Sequence, residues 1–283
     1  MIAFLGMGLL GSNFVKAMLQ QGKTVQVWNR SSAKARALEA FGARAFDDVS
    51  AAVSGVERVH ITLRDDASVD EVLEQALPGL QPGTLLIDHT TTSAEGALAR
   101  TEAWKARGFR YLHAPVFMGP QNAFESTGYM LVSGDQDLIA ELEPALAAMT
   151  GTVMNFGTTI NRAAAIKLVG NAFLVAFTAG TADTLALGKA LDVPLDDIFT
   201  LFNAWNPGAM LPARIKKLTG GTFDQPTWEL VMARKDTQLF LDAARQGKRP
   251  LTVIPAVAAE MDRWIDKGHG HDDWTVIGKD AVS

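Results

Sequence analysis

Short β-rich runs alternate with amphipathic stretches through the first half of the chain. The runs are Ile2 to Leu5, Thr24 to Trp28, Arg58 to Leu63, Thr84 to Asp88 and Phe109 to His113. Between them, Ser12 to Gln20, Ser32 to Phe41, Ala67 to Leu77 and Ser93 to Arg107 carry helical patterns, and Gly22, Gly42, Pro82-Gly83 and Gly108 stand where those helices should stop. Strand and helix in turn predict an α/β fold with a doubly wound parallel sheet. Tyr129 to Ser133 and Gly151 to Phe156 then bracket a helix over Gln136 to Met149, and the sheet is expected to end near Gly157.

Beyond that point the strand signals vanish. Asn161 to Ala190 keeps helical character for about twice the usual helix length. Further helices are expected over Pro194 to Asn203, Met210 to Leu218, Thr227 to Gln246, Ala256 to Lys267 and Trp274 to Lys279. The chain therefore divides into a Rossmann-type domain over 1–160 and an all-α domain over 161–283, joined by the long helix. With no repeat, low-complexity tract or flexible linker in view, the two are expected to pack tightly with ligand between them.

The first strand runs directly into Gly6-Met7-Gly8-Leu9-Leu10-Gly11, which opens the first helix. Glycine at these three places permits a tight turn, close backbone approach to a pyrophosphate and close helix-on-strand packing, while the helix N-terminus offers free N–H groups to phosphate. The spacing predicts a dinucleotide cradle. An acid about 20 residues past the glycines would mark NAD, but the second strand ends in Asn29, followed by Arg30, Ser31, Ser32 and Lys34. Arg30 suits a 2′-phosphate through charge-assisted hydrogen bonds, so NADP(H) is expected over NAD(H).

Bulk properties narrow the class. The 283 residues are 48% hydrophobic with a net charge of −5, which argues against general binding to nucleic acid or anionic membranes. Cysteine is absent, so disulfides, thiolate chemistry and zinc–thiolate sites are excluded, and a cytoplasmic setting is expected. Met1 leads straight into the first strand, so no signal peptide is expected. The apolar stretch Leu168 to Ala179, interrupted by Asn171, is read as too short to span a bilayer. Gly268-His269-Gly270-His271-Asp272-Asp273 has metal-ligand residue types without a spacing that gathers them, and no metal is predicted.

A second chemical signal opens the long helix. In Ala163-Ala164-Ala165-Ile166-Lys167-Leu168-Val169-Gly170-Asn171 a single lysine is enclosed by apolar neighbours. Residues four apart share a helix face, so Lys167 and Asn171 point the same way, and small Ala163 and Ala164 leave room beside them. A partly desolvated lysine suits proton transfer, and the amide beside it suits a substrate oxygen.

These features, with Asp88-His89-Thr90-Thr91-Thr92-Ser93, His113-Ala114-Pro115-Val116 and Lys235-Asp236, resemble the β-hydroxyacid dehydrogenase family, with imine reductases as distant relatives. The resemblance covers nearly the whole chain. It implies Lys167 as general acid or base, Asn171 as substrate-orienting, Lys235 near the substrate anion or cofactor, and Thr91 with Leu63 and Arg64 beside the cofactor. It also implies homodimers or homotetramers formed through the helical part.

One loop departs from the family. Where the family's substrate loop continues Pro-Val-Ser-Gly-Gly, this chain has Pro115-Val116-Phe117-Met118-Gly119-Pro120. Phe117, Met118 and Gly119 are therefore the expected substrate-side residues, in a more apolar cavity. The reading is an NADP(H)-dependent oxidoreductase acting on a small aldehyde or ketone or the corresponding alcohol. An imine reductase and a non-catalytic NADP-sensing protein are the alternatives.

Overall fold

The computed structural model describes residues 1–281. Six strands form a parallel sheet: β1 (Ile2–Leu5), β2 (Val25–Trp28), β3 (Arg44–Phe46), β4 (Arg58–Ile61), β5 (Leu85–Asp88) and β6 (Arg110–His113), in the spatial order β3-β2-β1-β4-β5-β6. Helices α1 (Leu9–Gln20), α2 (Ser32–Arg36), α3 (Val49–Ala52), α4 (Asp66–Ala76) and α5 (Ala94–Ala106) connect them. Side chains alternate across the sheet: Ile2 and Phe4 join one buried cluster with Val27 and Ile87, while Ala3 and Leu5 join the other with Ile61 and Leu86. Both faces are covered, which is why these strands read as continuous apolar runs.

The expected sheet end is a separate small sheet. After β6 the segment Ala114-Pro115 interrupts the ladder, since proline has no N–H to donate. The chain then makes β7 (Val116–Phe117), α6 (Pro120–Glu125), β8 (Tyr129–Val132), α7 (Gln136–Thr150) and β9 (Thr152–Asn155). β7 pairs antiparallel with β8, and β8 pairs parallel with β9. The helix expected over Ser32 to Phe41 breaks after Arg36 into a 3₁₀ turn at Glu39–Phe41.

The remaining helices are α8 (Arg162–Ala190), α9 (Leu195–Ala204), α10 (Leu211–Gly220), α11 (Leu230–Gln246) and α12 (Ile254–Trp264), with a closing 3₁₀ segment at Trp274–Ala281. Two compact units result, divided inside α8 between Asn171 and Ala172. The second has its own core of Phe223, Leu230, Ala233, Met261, Trp264 and Val276. Asp183 of α8 is buried and accepts the backbone N–H groups of Thr252, Val253 and Ile254 at 2.7–3.0 Å, so it caps the start of α12.

α8 corrects one expectation. It runs 29 residues with a mean hydropathy of 1.6 in its apolar window, long and apolar enough to cross a bilayer by length and composition. Alanine, glycine and threonine extend the apolar stretch well past Leu168 to Ala179. Most of that window is exposed, including Val169, Phe173, Leu174, Val175 and Phe177.

A stack of buried rings sits under the first unit's sheet. Phe4, His60 and His89 lie nearly parallel, with His60 and His89 centred 5.2 Å apart, and Phe14 packs on His89. His89 Nδ1 is 2.8 Å from the Ala114 carbonyl and must donate to it, so neutral His89 Nε2 accepts from His60 Nδ1 at 2.9 Å. His60 Nε2 then has no partner for an added proton. Burial, with His89 and Arg58 nearby, holds the His60 pKa well below the ordinary value, and burial lowers that of His89 to about 4. Both rings are neutral in the fold but titrate near 6.5 once unfolded. Stability is therefore full above about pH 6.5 and falls as pH drops toward 4, by up to about 1.4 kcal/mol per pH unit for each histidine. Denaturant midpoints at pH 7.5 and pH 5 check this; equal midpoints would contradict a neutral stack.

Candidate active site

The glycine cradle lies where the sheet order reverses, between β1 and β4. Gly6 has φ of +100°, and a Cβ there would come within 2.0 Å of the Thr62 carbonyl oxygen. Gly11 is equally constrained, its Cβ direction meeting the Gly6 carbonyl oxygen at 2.0 Å. Thr62 Oγ1 donates to that same Gly6 oxygen at 2.9 Å, pinning the turn. Gly8, by contrast, faces open space, with nothing within 4 Å of a built Cβ. It is the N-cap of α1, whose first turn holds no acid and no capping side chain. Two glycines close the turn and the third leaves an approach to free N–H groups, which fits a pyrophosphate.

The other residues of that motif divide by role. Met7 is a core residue rather than a ligand-facing one, since its side chain is buried beside Phe14 and its N–H donates to Asn29 Oδ1 at 2.9 Å. Leu9 is exposed and Leu10 half-buried at the helix start. Asn29 Nδ2 donates to the Ser31 carbonyl at 3.0 Å, so this amide ties the end of β2 to the cradle. Arg30, Ser31 and Lys34 are exposed beside it, with no acid in the first turn of α2.

Two loops flank the cradle and are bound to each other. Leu63 N–H donates to Thr90 Oγ1 at 3.0 Å; Arg64 is exposed and pairs with Asp65, and Thr91 is exposed. Behind them lies a charge network that the sequence did not reveal. Arg100 of α5 is buried and binds Asp70 at 2.6 Å and Asp66 at 2.9 Å, with its Nη1 3.8 Å from fully buried Asp88. Asp88 also accepts from Tyr111 Oη at 2.8 Å and from Thr90 N–H at 2.9 Å. Burial lowers the Arg100 pKa, but Asp70, Tyr111 and Asp66 more than offset this and leave it raised. Burial is also what pushes Tyr111 up, with Asp88 adding to it.

Lys167 is buried, and Nζ donates to the Val116 carbonyl at 2.7 Å and to Asn171 Oδ1 at 3.1 Å. The pair expected from their spacing thus forms a direct hydrogen bond. Burial lowers the lysine pKa from its ordinary value. Ala163 and Ala164 do not leave the expected room: both are buried, and Ala163 N–H donates to Ser133 Oγ at 2.9 Å.

The loop expected to face substrate splits in its contacts. Phe117 lies 4.2 Å from Lys167 Nζ, measured to its ring centre, whereas Met118 packs against the core. Gly119 N–H is taken by Asn122 Oδ1 at 2.9 Å, at the start of α6. Lys235 stands in the second unit, exposed on α11 and paired with Asp236 at 2.8 Å. His269 pairs with Asp272 and His271 with Glu229. Among the described residues no three metal-binding side chains converge.

Sequence reasoning missed Thr62, Thr90, Arg100 and the Val116 carbonyl. Thr90 and Val116 fall in the family-like Asp88-to-Ser93 and His113-to-Val116 segments, which were the signals available. Thr62 and Arg100 act through contacts distant in the chain.

The family model of the NAD binding domain of 6-phosphogluconate dehydrogenase matches residues 1–157. The 3-sulfolactaldehyde reductase of Escherichia coli (strain K12) is 26% identical over 98% of this chain and 94% of its own. Cytokine-like nuclear factor N-PAC of Gallus gallus is 28% identical over 92% of this chain but 47% of its own, so the chain spans about half the length of that relative. The solved imine reductase of Myxococcus stipitatus in complex with NADP+ superposes with a TM-score of 0.89 at 23% identity, covering 98% of each chain. That likeness speaks for the fold. The chain belongs to the 6-phosphogluconate dehydrogenase-like NAD-binding family, and the comparisons support its expected likeness to the β-hydroxyacid dehydrogenases and imine reductases.

Proposed function

We propose that this protein is an NADP(H)-dependent oxidoreductase that interconverts a small aldehyde or ketone and its alcohol, with Lys167 as the proton-transfer residue. The observation that carries the reading is Lys167 Nζ, buried and held by Asn171 Oδ1 and the Val116 carbonyl. Gly6, Gly8, Gly11 and the N-terminus of α1 would hold the pyrophosphate, with Leu63, Arg64 and Thr91 beside them. The bound dinucleotide supplies or accepts a hydride. Every other requirement falls to the chain: Lys167 gives a proton to the forming alkoxide oxygen in reduction or removes it from the hydroxyl in oxidation, and Asn171 orients that oxygen.

NADPH absorbance followed with glyoxylate, succinic semialdehyde, an apolar aldehyde and a cyclic imine tests this reading. Phe117 beside the lysine favours the apolar aldehyde over the small acids, and the imine arm reads the imine reductase alternative. Tight NADPH binding with no turnover on any arm would favour a sensor instead. Arg30 is the residue assigned to the 2′-phosphate. Arg30→Ala should raise KM for NADPH by about 10- to 100-fold, the loss of one to two charge-assisted hydrogen bonds, and leave KM for NADH unchanged. An equal effect on both would remove the NADP preference.

We also propose that a second copy of the chain covers the exposed apolar side chains of α8 and α9, among them Phe173, Val175, Phe177, Phe199 and Leu201. Light scattering after size exclusion should give a dimer or tetramer; a stable monomer, or capture by lipid vesicles, would overturn this.

A further inference from the structure

Lys167 has three neighbours at Nζ, and the third is not an ordinary acceptor. Val116 O and Asn171 Oδ1 take two N–H groups, and the Phe117 ring centre lies 4.2 Å away. The ring is placed by its strand and by one glycine. Its backbone sits in β7, where Phe117 pairs with Tyr129 of β8. Its edge rests on Gly170, three residues past Lys167 on α8, where a Cβ would come within 2.3 Å of Phe117 Cζ. Gly128, with φ of +105°, lies against the backbone of the same loop, its Cβ direction meeting Met118 Cβ at 3.0 Å and the Phe117 carbonyl oxygen at 3.1 Å. Gly170 thus makes the space that the aromatic side chain fills.

The face of an aromatic ring is negative. An ammonium over it is attracted, whereas the lone pair of a neutral amine is repelled. Among the described residues Lys167 has two oxygen acceptors, so a neutral amine donating to both would turn its lone pair toward the ring. We propose that Phe117 is a positioning residue for proton transfer: its ring holds Lys167 as the ammonium and aims Nζ, so that the proton donor of the reductive direction stays in place to higher pH. The inference rests on Lys167 being the proton-transfer residue of the proposed function. It explains why an aromatic stands where the resembling family has a serine. Burial works against the ammonium at this position, and the ring works for it.

The first measurement does not depend on catalysis. Competitive acylation of Lys167 by acetic anhydride across a pH series, read by peptide mass spectrometry, gives the midpoint at which the amine becomes reactive. Phe117→Leu should lower that midpoint by about half to one pH unit, as loss of one partly desolvated cation–π contact implies. A ring-fluorinated phenylalanine at 117 should do the same, because it keeps the shape while reversing the ring's charge distribution. Loss of packing alone would not produce that second result. In the reductive pH profile of kcat, the fall at high pH should move down by the same amount in both variants. Unchanged labelling midpoints in both would overturn the role of the ring, whatever happens to turnover. A shifted midpoint in a protein whose Lys167→Met variant turns over normally would instead overturn the catalytic reading of Lys167, and with it any effect of the ring on the reaction.

Discussion

Lys167→Met is expected to lower kcat by about 100- to 10,000-fold while leaving the Kd for NADPH within about twofold of the parent. Methionine keeps the length and the apolar stem but has no proton to give, so Val116 O and Asn171 Oδ1 lose their donor. The cradle glycines, Thr62 and Arg30 are not hydrogen-bonded to the lysine, which is why cofactor affinity should stand. Lys167→Arg is a sharper probe. It keeps the charge, but the guanidinium does not release a proton near neutral pH, so turnover should stay low although the cation is present. Retained turnover in either variant would remove Lys167 from the chemistry. Asn171→Ala should cost less, because it removes one orienting acceptor and leaves the donor in place.

The contrast between Lys167 and Phe117 shows how much could be read before the structure. Lys167 and Asn171 were legible as a pair because helix geometry alone sets residues four apart on one face. The cradle was legible because its glycines sit on a strand, turn and helix contiguous in sequence, although the close approach that demands Gly6 comes from the distant Thr62 carbonyl. What escaped depends on contacts set by the tertiary fold. Phe117 reads as a pocket residue from its loop, and only its pairing with β8 and the gap at Gly170 turn its ring onto the lysine. β3 and β7 are three and two residues long, too short for any periodicity, and exist because a neighbouring strand offers an edge. Met7 sits inside the phosphate motif and still belongs to the core. A motif fixes the backbone of such a loop without fixing where each side chain goes.

Arg100→Met should cost about 3–5 kcal/mol of folding free energy. Arg100 is nine-tenths or more buried and, among the described residues, is the one cation that reaches Asp66, Asp70 and Asp88 together, joining α4, α5 and the end of β5. Removing it leaves Asp88, with 0% exposure, as a buried carboxylate supported only by Tyr111 and the Thr90 N–H. The cost is that of an uncompensated charge rather than of a lost attraction, and a double-mutant cycle separates the two. Asp88→Asn in the Arg100→Met background should restore part of the stability, whereas Asp88→Asn alone should destabilise. Arg100→Lys should fall in between, since an ammonium cannot span carboxylates on two sides as a planar guanidinium does. The same network holds Thr90, whose hydroxyl accepts from Leu63 N–H beside the cradle, so weaker NADPH binding should accompany the loss of stability. Equilibrium denaturation and NADPH titration of the parent and the four variants check both arms. An Arg100→Met protein within about 1 kcal/mol of the parent would mean that the three carboxylates are satisfied without the cation, a result the buried position of Asp88 argues against.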